Sequence, residues 1–228
     1  MRWFLIVCIL SSWFLLPGQI GFLKNYLEYS HTSSQTPAAG LKKYVLPASL
    51  ITTGAFISIN TSIVNKYKVR DWRNNNFSNF STDLDDYLQY VPLVTGLALN
   101  LNRPKEDFNM YNHRVILSEA FVLLTVAGLK RVTQVPRPDG TTNNAFPSGH
   151  TTQAFAAATL FSDHFARHKW WLSALSYGTA SSVGVLRILN NRHWISDVIA
   201  GAGLGILCVK LSESICKPKS VDKPNLYP

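Results

Sequence analysis

The stretch NAFPSGHTTQAF, residues 144–155, sets Pro147, Ser148, Gly149 and His150 just ahead of a run of small and apolar residues. On one reading Pro147 and Gly149 make a turn, Ser148 caps a helix and His150 is incidental. On the other, the backbone N–H groups at a helix N-terminus seat a phosphate, and the imidazole beside them moves a proton. Two further segments bear on the choice. Upstream, KRVTQVPRP holds Lys130 and Arg137, with Pro138 stiffening the exit. Downstream, RILNNRHWISD places Arg187 six positions before His193 and Asp197 four positions after it. Taken singly, these are helix-end charges, loop charges and a surface pair at helical spacing. Taken together, three cations, two imidazoles and a helix N-terminus are what phosphoryl transfer needs: neutralised equatorial oxygens, a nucleophile and a proton donor.

Helices must bring these residues together. Six are predicted, over about 44–64, 85–101, 112–133, 148–165, 169–188 and 194–213. In the third, Leu117, Phe121 and Leu124 recur at helical spacing, and Gly128 extends that face, where a missing side chain would admit a neighbouring helix. The segment KYKVRDWRNNNFSNFSTDLDD, residues 66–86, reads as a polar loop. No strand-like alternation of useful length occurs, so the expected class is an all-α bundle of six core helices. Short connections make the last four antiparallel, which puts the end of the third, the start of the fourth and the connection from fifth to sixth at one end. The sequence GAGLGILC faintly resembles a dinucleotide loop, but no strand precedes it. Gly201 and Gly205 read instead as a close-packing face.

Composition narrows the partners. Charged residues make up 15% of the 228-residue chain, against about a quarter in soluble domains. The net charge is nevertheless +9, with the basic residues in short clusters between apolar segments and no RNA-binding aromatic signature. That points to a membrane or a phosphorylated substrate rather than nucleic acid. Cys8, Cys208 and Cys216 offer neither a disulfide framework nor a zinc spacing, and no carboxylate repeat suggests a catalytic metal. Residues 1–23, with the apolar run 3–16 behind Arg2, read as a signal peptide or N-terminal anchor. Residues 24–43 read as a polar linker, 44–214 as the functional domain and 215–228 as a polar tail. His31, His113, His164 and His168 are expected in solvated positions, and Arg131 and Arg192 on the rim of the site.

The order Lys130-x6-Arg137-Pro138, Pro147-Ser148-Gly149-His150, Arg187-x5-His193-x3-Asp197 resembles the type-2 phosphatidic acid phosphatase family, which shares its core with vanadium haloperoxidases and class A bacterial acid phosphatases. The resemblance covers about residues 85–213. It implies that His193 attacks phosphorus to form a phosphohistidine and that Asp197 orients and stabilises its imidazole. It implies that His150 protonates the leaving group and then activates water. Lys130, Arg137, Arg187, Ser148 and the Gly149 backbone would bind the phosphoryl oxygens, with no metal and no cofactor. One departure stands out: Leu186 occupies the position before the third-motif arginine where the family usually has Ser.

The helices over 44–64 and from 148 onward are almost free of charge, so insertion in a bilayer is expected. With the site outside, the opposite connections carry Lys42 and Lys43, Arg103, Lys105 and Arg114, Arg167 and Lys169, and Lys217, Lys219 and Lys223, as the positive-inside rule asks. If residues 3–16 also crossed with their N-terminus inside, parity would reverse the site. Either they do not cross, or the helices lie on the outer side after export. The expected substrate is therefore a lipid phosphate or diphosphate at the periplasmic or exterior face of the membrane. A vanadate-dependent haloperoxidase and a non-catalytic lipid-phosphate-binding protein are the alternatives.

Overall fold

The structure is a computed structural model that describes residues 37–60, 64–167 and 169–216. Residues Leu41–Cys216 make one compact unit; the other, Met1–Gly40 with Lys217–Pro228, lies almost wholly outside the described residues. The expected leader or anchor at 1–23 falls there, as does most of the linker and tail.

All regular structure among the described residues is helical: α1 (Pro37–Ile59), α2 (Lys66–Asn76), α3 (Leu84–Leu88), α4 (Val91–Asn100), α5 (Lys105–Thr133), α6 (Gly149–Phe165), α7 (Trp170–Leu189) and α8 (Ile195–Ile215). The all-α expectation holds. Four expected elements change: the first helix begins at Pro37, inside the segment read as linker, and ends at Ile59, and the third begins at Lys105. The helix over 85–101 is two pieces, α3 and α4, and the polar segment 66–86 contains the helix α2.

α2 escapes an apolar-periodicity argument because polar groups hold it. Asn65 caps it, its Oδ1 accepting from the Tyr67 and Lys68 N–H groups at 3.0 and 3.2 Å. Lys66 Nζ donates to the Ser58 carbonyl at the end of α1. Arg73 Nε donates to the Leu189 carbonyl at the end of α7, and its NH2 to the Phe80 carbonyl. Two buried cations thus satisfy the carbonyls that helix ends leave open.

The bundle is built around α6, which packs against α4, α5, α7 and α8. Its core face is made of small residues, with Ala154, Ala156, Ala157 and Ala158 fully buried. α8 answers with glycines. A Cβ on Gly201 would stand 2.8 Å from the Ser148 carbonyl oxygen, and one on Gly205 would overlap the Thr152 carbonyl oxygen. On its other side, a Cβ on Gly203 would meet the Pro47 carbonyl oxygen of α1 at 2.7 Å. Gly201 and Gly205 therefore do what their spacing suggests. Gly128 does not: nothing lies within 4 Å of where its Cβ would be.

The end of the bundle away from the three motifs is closed by charge. Asp163 of α6 accepts from Arg114 NH2 of α5 at 3.2 Å and from Lys210 Nζ of α8 at 2.8 Å. Arg114, expected among solvent-facing connection charges, is instead a buried partner in this cluster. His164 likewise is not freely solvated; its ring lies 4.7 Å from those of Tyr111 and Phe165. α8 is the one helix among the described residues long and apolar enough to cross a membrane, and 67% of its apolar window is buried within the protein.

The glycine contacts give a test of the packing. Gly205→Ala forces α8 away from the α6 backbone and should lower the thermal midpoint by several degrees, corresponding to about 1–3 kcal/mol of overpacking. Gly128→Ala, with open space around it, should leave the midpoint unchanged or raise it slightly. Equal effects in thermal unfolding of the two variants would show that α6 and α8 do not meet this closely.

Candidate active site

The loops at one end of the bundle carry the three motifs, and each is pinned by hydrogen bonds that its own sequence supplies. α5 ends after Lys130 with Gln134 in the left-handed region at φ 45°, its N–H donating back to the Lys130 carbonyl. The loop then doubles on itself through Ala145 N–H to the Val135 carbonyl and Arg137 N–H to the Thr142 carbonyl, both 2.9 Å. Trp194 Nε1 donates to the Pro136 carbonyl at 2.8 Å, fastening this loop to the turn that holds His193. The Ser148 N–H donates to the Asp197 carbonyl at 3.1 Å, fastening the start of α6 to the start of α8.

His193 sits at the base of the site with 2% of its surface exposed. Its Nδ1–H donates to the Ala145 carbonyl at 2.7 Å. That bond fixes the tautomer and leaves Nε2 with a lone pair. Burial, and then Arg187, Lys130 and Arg137, hold the ring well below the ordinary histidine pKa, so it is neutral. The sequence suggested Asp197 as the group that orients the ring, but the Asp197 Oδ2 lies 3.6 Å from Nδ1. Its hydrogen bonds go to the Trp194 N–H at 2.8 Å and the Ser196 hydroxyl at 3.3 Å, so it caps α8 and stands behind the imidazole, with burial pushing its pKa up to about 7.

Lys130, Arg137 and Arg187 converge on the same place. Each lowers the proton affinity of His193, and Lys130 Nζ lies 3.9 Å from where a Gly149 Cβ would be. Burial, with help from Arg137 and Arg187, brings the Lys130 pKa down to about 8. The Nε groups of Arg137 and Arg187 are buried and donate to no acceptor among the described residues. Such donors call for an anion. Beside them opens a cavity of about 500 Å³, lined among others by Arg137, Arg187, Arg192, His150 and four aspartates, Asp83, Asp85, Asp86 and Asp139.

Ser148 takes the capping place that the first reading of its segment gives it. It is fully buried; its Oγ accepts weakly from the Thr151 N–H and shares a 2.8 Å hydrogen bond with the Thr151 hydroxyl. Its hydroxyl is thus the α6 cap, while Gly149 opens the first turn beside Lys130. Arg192 pairs with Asp139 at 3.1 Å on the rim, and Arg131 is exposed.

Asp85 and Asp86, in the segment read as loop, are the site's unanticipated members. Asp85 is 1% exposed; its Oδ2 accepts from Arg187 NH1 at 2.6 Å and its Oδ1 from Asn190 Nδ2 at 2.9 Å. Asn190 also clasps Thr82 through both backbone groups, at 2.8 and 3.0 Å. Asp86 Oδ1 accepts from His150 Nε2 at 2.7 Å. No motif spacing announces these residues; a charged pair closing an otherwise Asn- and Ser-rich segment was the signal available. Asp85, Asp86 and His150 bring ligand-type atoms within 4.8 Å of one another, but the carboxylates are already engaged by Arg187, Asn190 and His150. A cation there would face the arginines, so the donor set does not fit a metal.

Residues 113–216 match the family model of the PAP2 superfamily. Over 147 residues the chain is 37% identical to lipid A 1-phosphatase of Porphyromonas gingivalis, covering 63% of this chain and 33% of that protein. The chain thus spans about a third of the length of this relative. Among solved structures, the transmembrane PAP2 type phosphatidylglycerolphosphate phosphatase of Bacillus subtilis superposes with a TM-score of 0.55 at 19% identity, over 74% of this chain and 94% of that one. That likeness shows the helical fold. The LpxE protein of Aquifex aeolicus is also similar, at 25% identity and a TM-score of 0.49, over 63% and 93% of the two chains.

The Lys130 environment gives the site a pH dependence that sulfate can read, since sulfate stays dianionic throughout. The amine is charged below its pKa and neutral above it, so sulfate affinity should fall as pH rises through about 8. In Lys130→Arg, whose charge persists, calorimetric titration should show nearly constant affinity from pH 7 to 9.

Proposed function

We propose, on the premise that this chain belongs to the PAP2 superfamily through residues 113–216, that it is a phosphatase hydrolysing a phosphomonoester or diphosphate of a membrane lipid. The observation that carries this reading is the buried neutral His193 facing three cations, two of which have unsatisfied buried N–H groups. A neutral imidazole whose Nδ1–H is tied down is a nucleophile at Nε2.

In the first step Nε2 of His193 attacks phosphorus. The P–N bond forms as the ester P–O bond breaks, and the leaving alkoxide takes a proton from His150. Arg137, Arg187 and Lys130 bind the charge on the equatorial oxygens, where preorganised cations are worth most because the site is partly dry. The phosphohistidine carries positive charge, which the Asp197 carboxylate 3.6 Å behind the ring offsets. In the second step water attacks phosphorus, giving its proton to His150. The P–N bond breaks and phosphate leaves with His193 neutral again. Side-chain cations do the electrostatic work throughout.

The lipid character of the substrate is supported by the lipid A 1-phosphatase relative and by the apolar α8. A periplasmic or exterior site is supported by the cationic residues Arg103, Lys105, Arg167 and Lys169 in the connections at the opposite end.

Phosphate release from a panel of lipid phosphates is the test. Activity should persist in EDTA and be blocked by vanadate, whose trigonal bipyramid resembles the transition state. His193→Ala should abolish turnover of every ester. His150→Ala should lose about 10²–10⁴-fold on alkyl phosphates, yet accumulate acid-labile phosphoenzyme from a nitrophenyl ester, whose phenolate leaves without a proton. Label trapped on His193→Ala, or a requirement for one divalent ion, would overturn the mechanism.

A further inference from the structure

The proton that His150 must deliver has to be kept on a ring whose surroundings work against it. Burial comes first among the effects that lower its pKa, followed by the Arg187 guanidinium. Arg137 from the loop after α5 and Arg192 from the turn after α7 line the same cavity. Against them stand Asp139 on the rim, Asp83 and Asp85 at the wall and Asp86 in direct contact. Asp139 is engaged with Arg192, and Asp85 is spent on Arg187 and Asn190. Asp86 alone among these acids touches the imidazole, with its Oδ1 2.7 Å from Nε2.

We propose that Asp86 acts through His150, holding the proton on Nε2 until the oxygen of the leaving group takes it. This rests on the reading of His150 as the proton donor. α3 is a five-residue helix fixed to the end of α7 through Asn190, so Asp86 is delivered to the site by an element outside the three motifs. Its neighbour Asp85 is buried and immobile, whereas the Asp86 side chain is 53% exposed. It can therefore yield its place at Nε2 to an arriving ester oxygen, which accepts the same proton. The site then holds two carboxylate–imidazole pairs with opposite tasks. Asp197 lies behind the ring that gains positive charge in the first step; Asp86 lies in front of the ring that must give up a proton in it.

The sign follows from the charge. A carboxylate raises the pKa of an imidazole, so its loss lowers it. In Asp86→Asn, the His150 titration followed by NMR on the full chain should move down by about one pH unit, assigned by its absence from His150→Gln. The alkaline limb of kcat/KM on an alkyl phosphate should move down with it, while phosphoenzyme formation from a nitrophenyl ester should not change. Asp86→Glu should restore most of the shift. Adding Asp86→Asn to His150→Ala should cost nothing further, since the effect passes through the ring. A His150 pKa unchanged in Asp86→Asn would overturn the inference, whatever the kinetics. Absence of phosphate release from any ester by the unmodified protein would instead overturn the proposed function, and the NMR titration would still decide the pair.

Discussion

Three cations brought together at a partly buried helix end repel one another, and the structure around them is arranged to tolerate that repulsion. Burial first, and then this repulsion, lowers the proton affinity of Lys130 and keeps His193 neutral. Arg187, which cannot shed its charge, is held by Asp85 in a buried pair at 2.6 Å. Removing one partner of such a pair typically costs about 3–5 kcal/mol because the other charge is left uncompensated. The pair also leaves the guanidinium with an unused Nε–H. The repulsion is therefore relieved only in part by the protein, and an arriving dianion relieves the rest.

This arrangement demands rigidity, and the bundle provides it through close backbone approach. α6 presents alanines and α8 presents glycines, so the two helices meet near main-chain contact from Ser148 to Ala156. The Ser148 N–H to Asp197 carbonyl bond extends that contact to the helix starts, where His150 and His193 reside. A slip along this interface would change the separation of the two histidines, and near-contact packing leaves little room for one.

The polar elements matter as much as the apolar core. α2 and α3 bury little hydrocarbon, yet Arg73 and Asn190 tie them to the carboxyl end of α7. Through them, the start of the domain contributes Asp85 and Asp86 to a site otherwise assembled from its second half. The Asn190 and Asp85 contacts also frame Arg187, next to Leu186.

Much of this protein was determined locally and could be read from its chain. The three motifs, the all-α class and the close-packing role of Gly201 and Gly205 follow from residue type and spacing, because helical periodicity and backbone sterics act over a few residues. Lys130, Arg137, Arg187, His150 and His193 could be placed at one end from helix order alone. What the tertiary structure decided depends on contacts between distant segments. Asp85 meets Arg187 across 102 positions, and Asp86 meets His150 across 64. The His193 tautomer is set by the Ala145 carbonyl, 48 positions away, while nearby Asp197 turns to cap its own helix. α2 was missed because cation–carbonyl bonds to other elements hold it, and Gly128 was misjudged because nothing lies opposite that one position. Spacing along a helix tells which residues share a face; only the packed fold tells what that face finds opposite it.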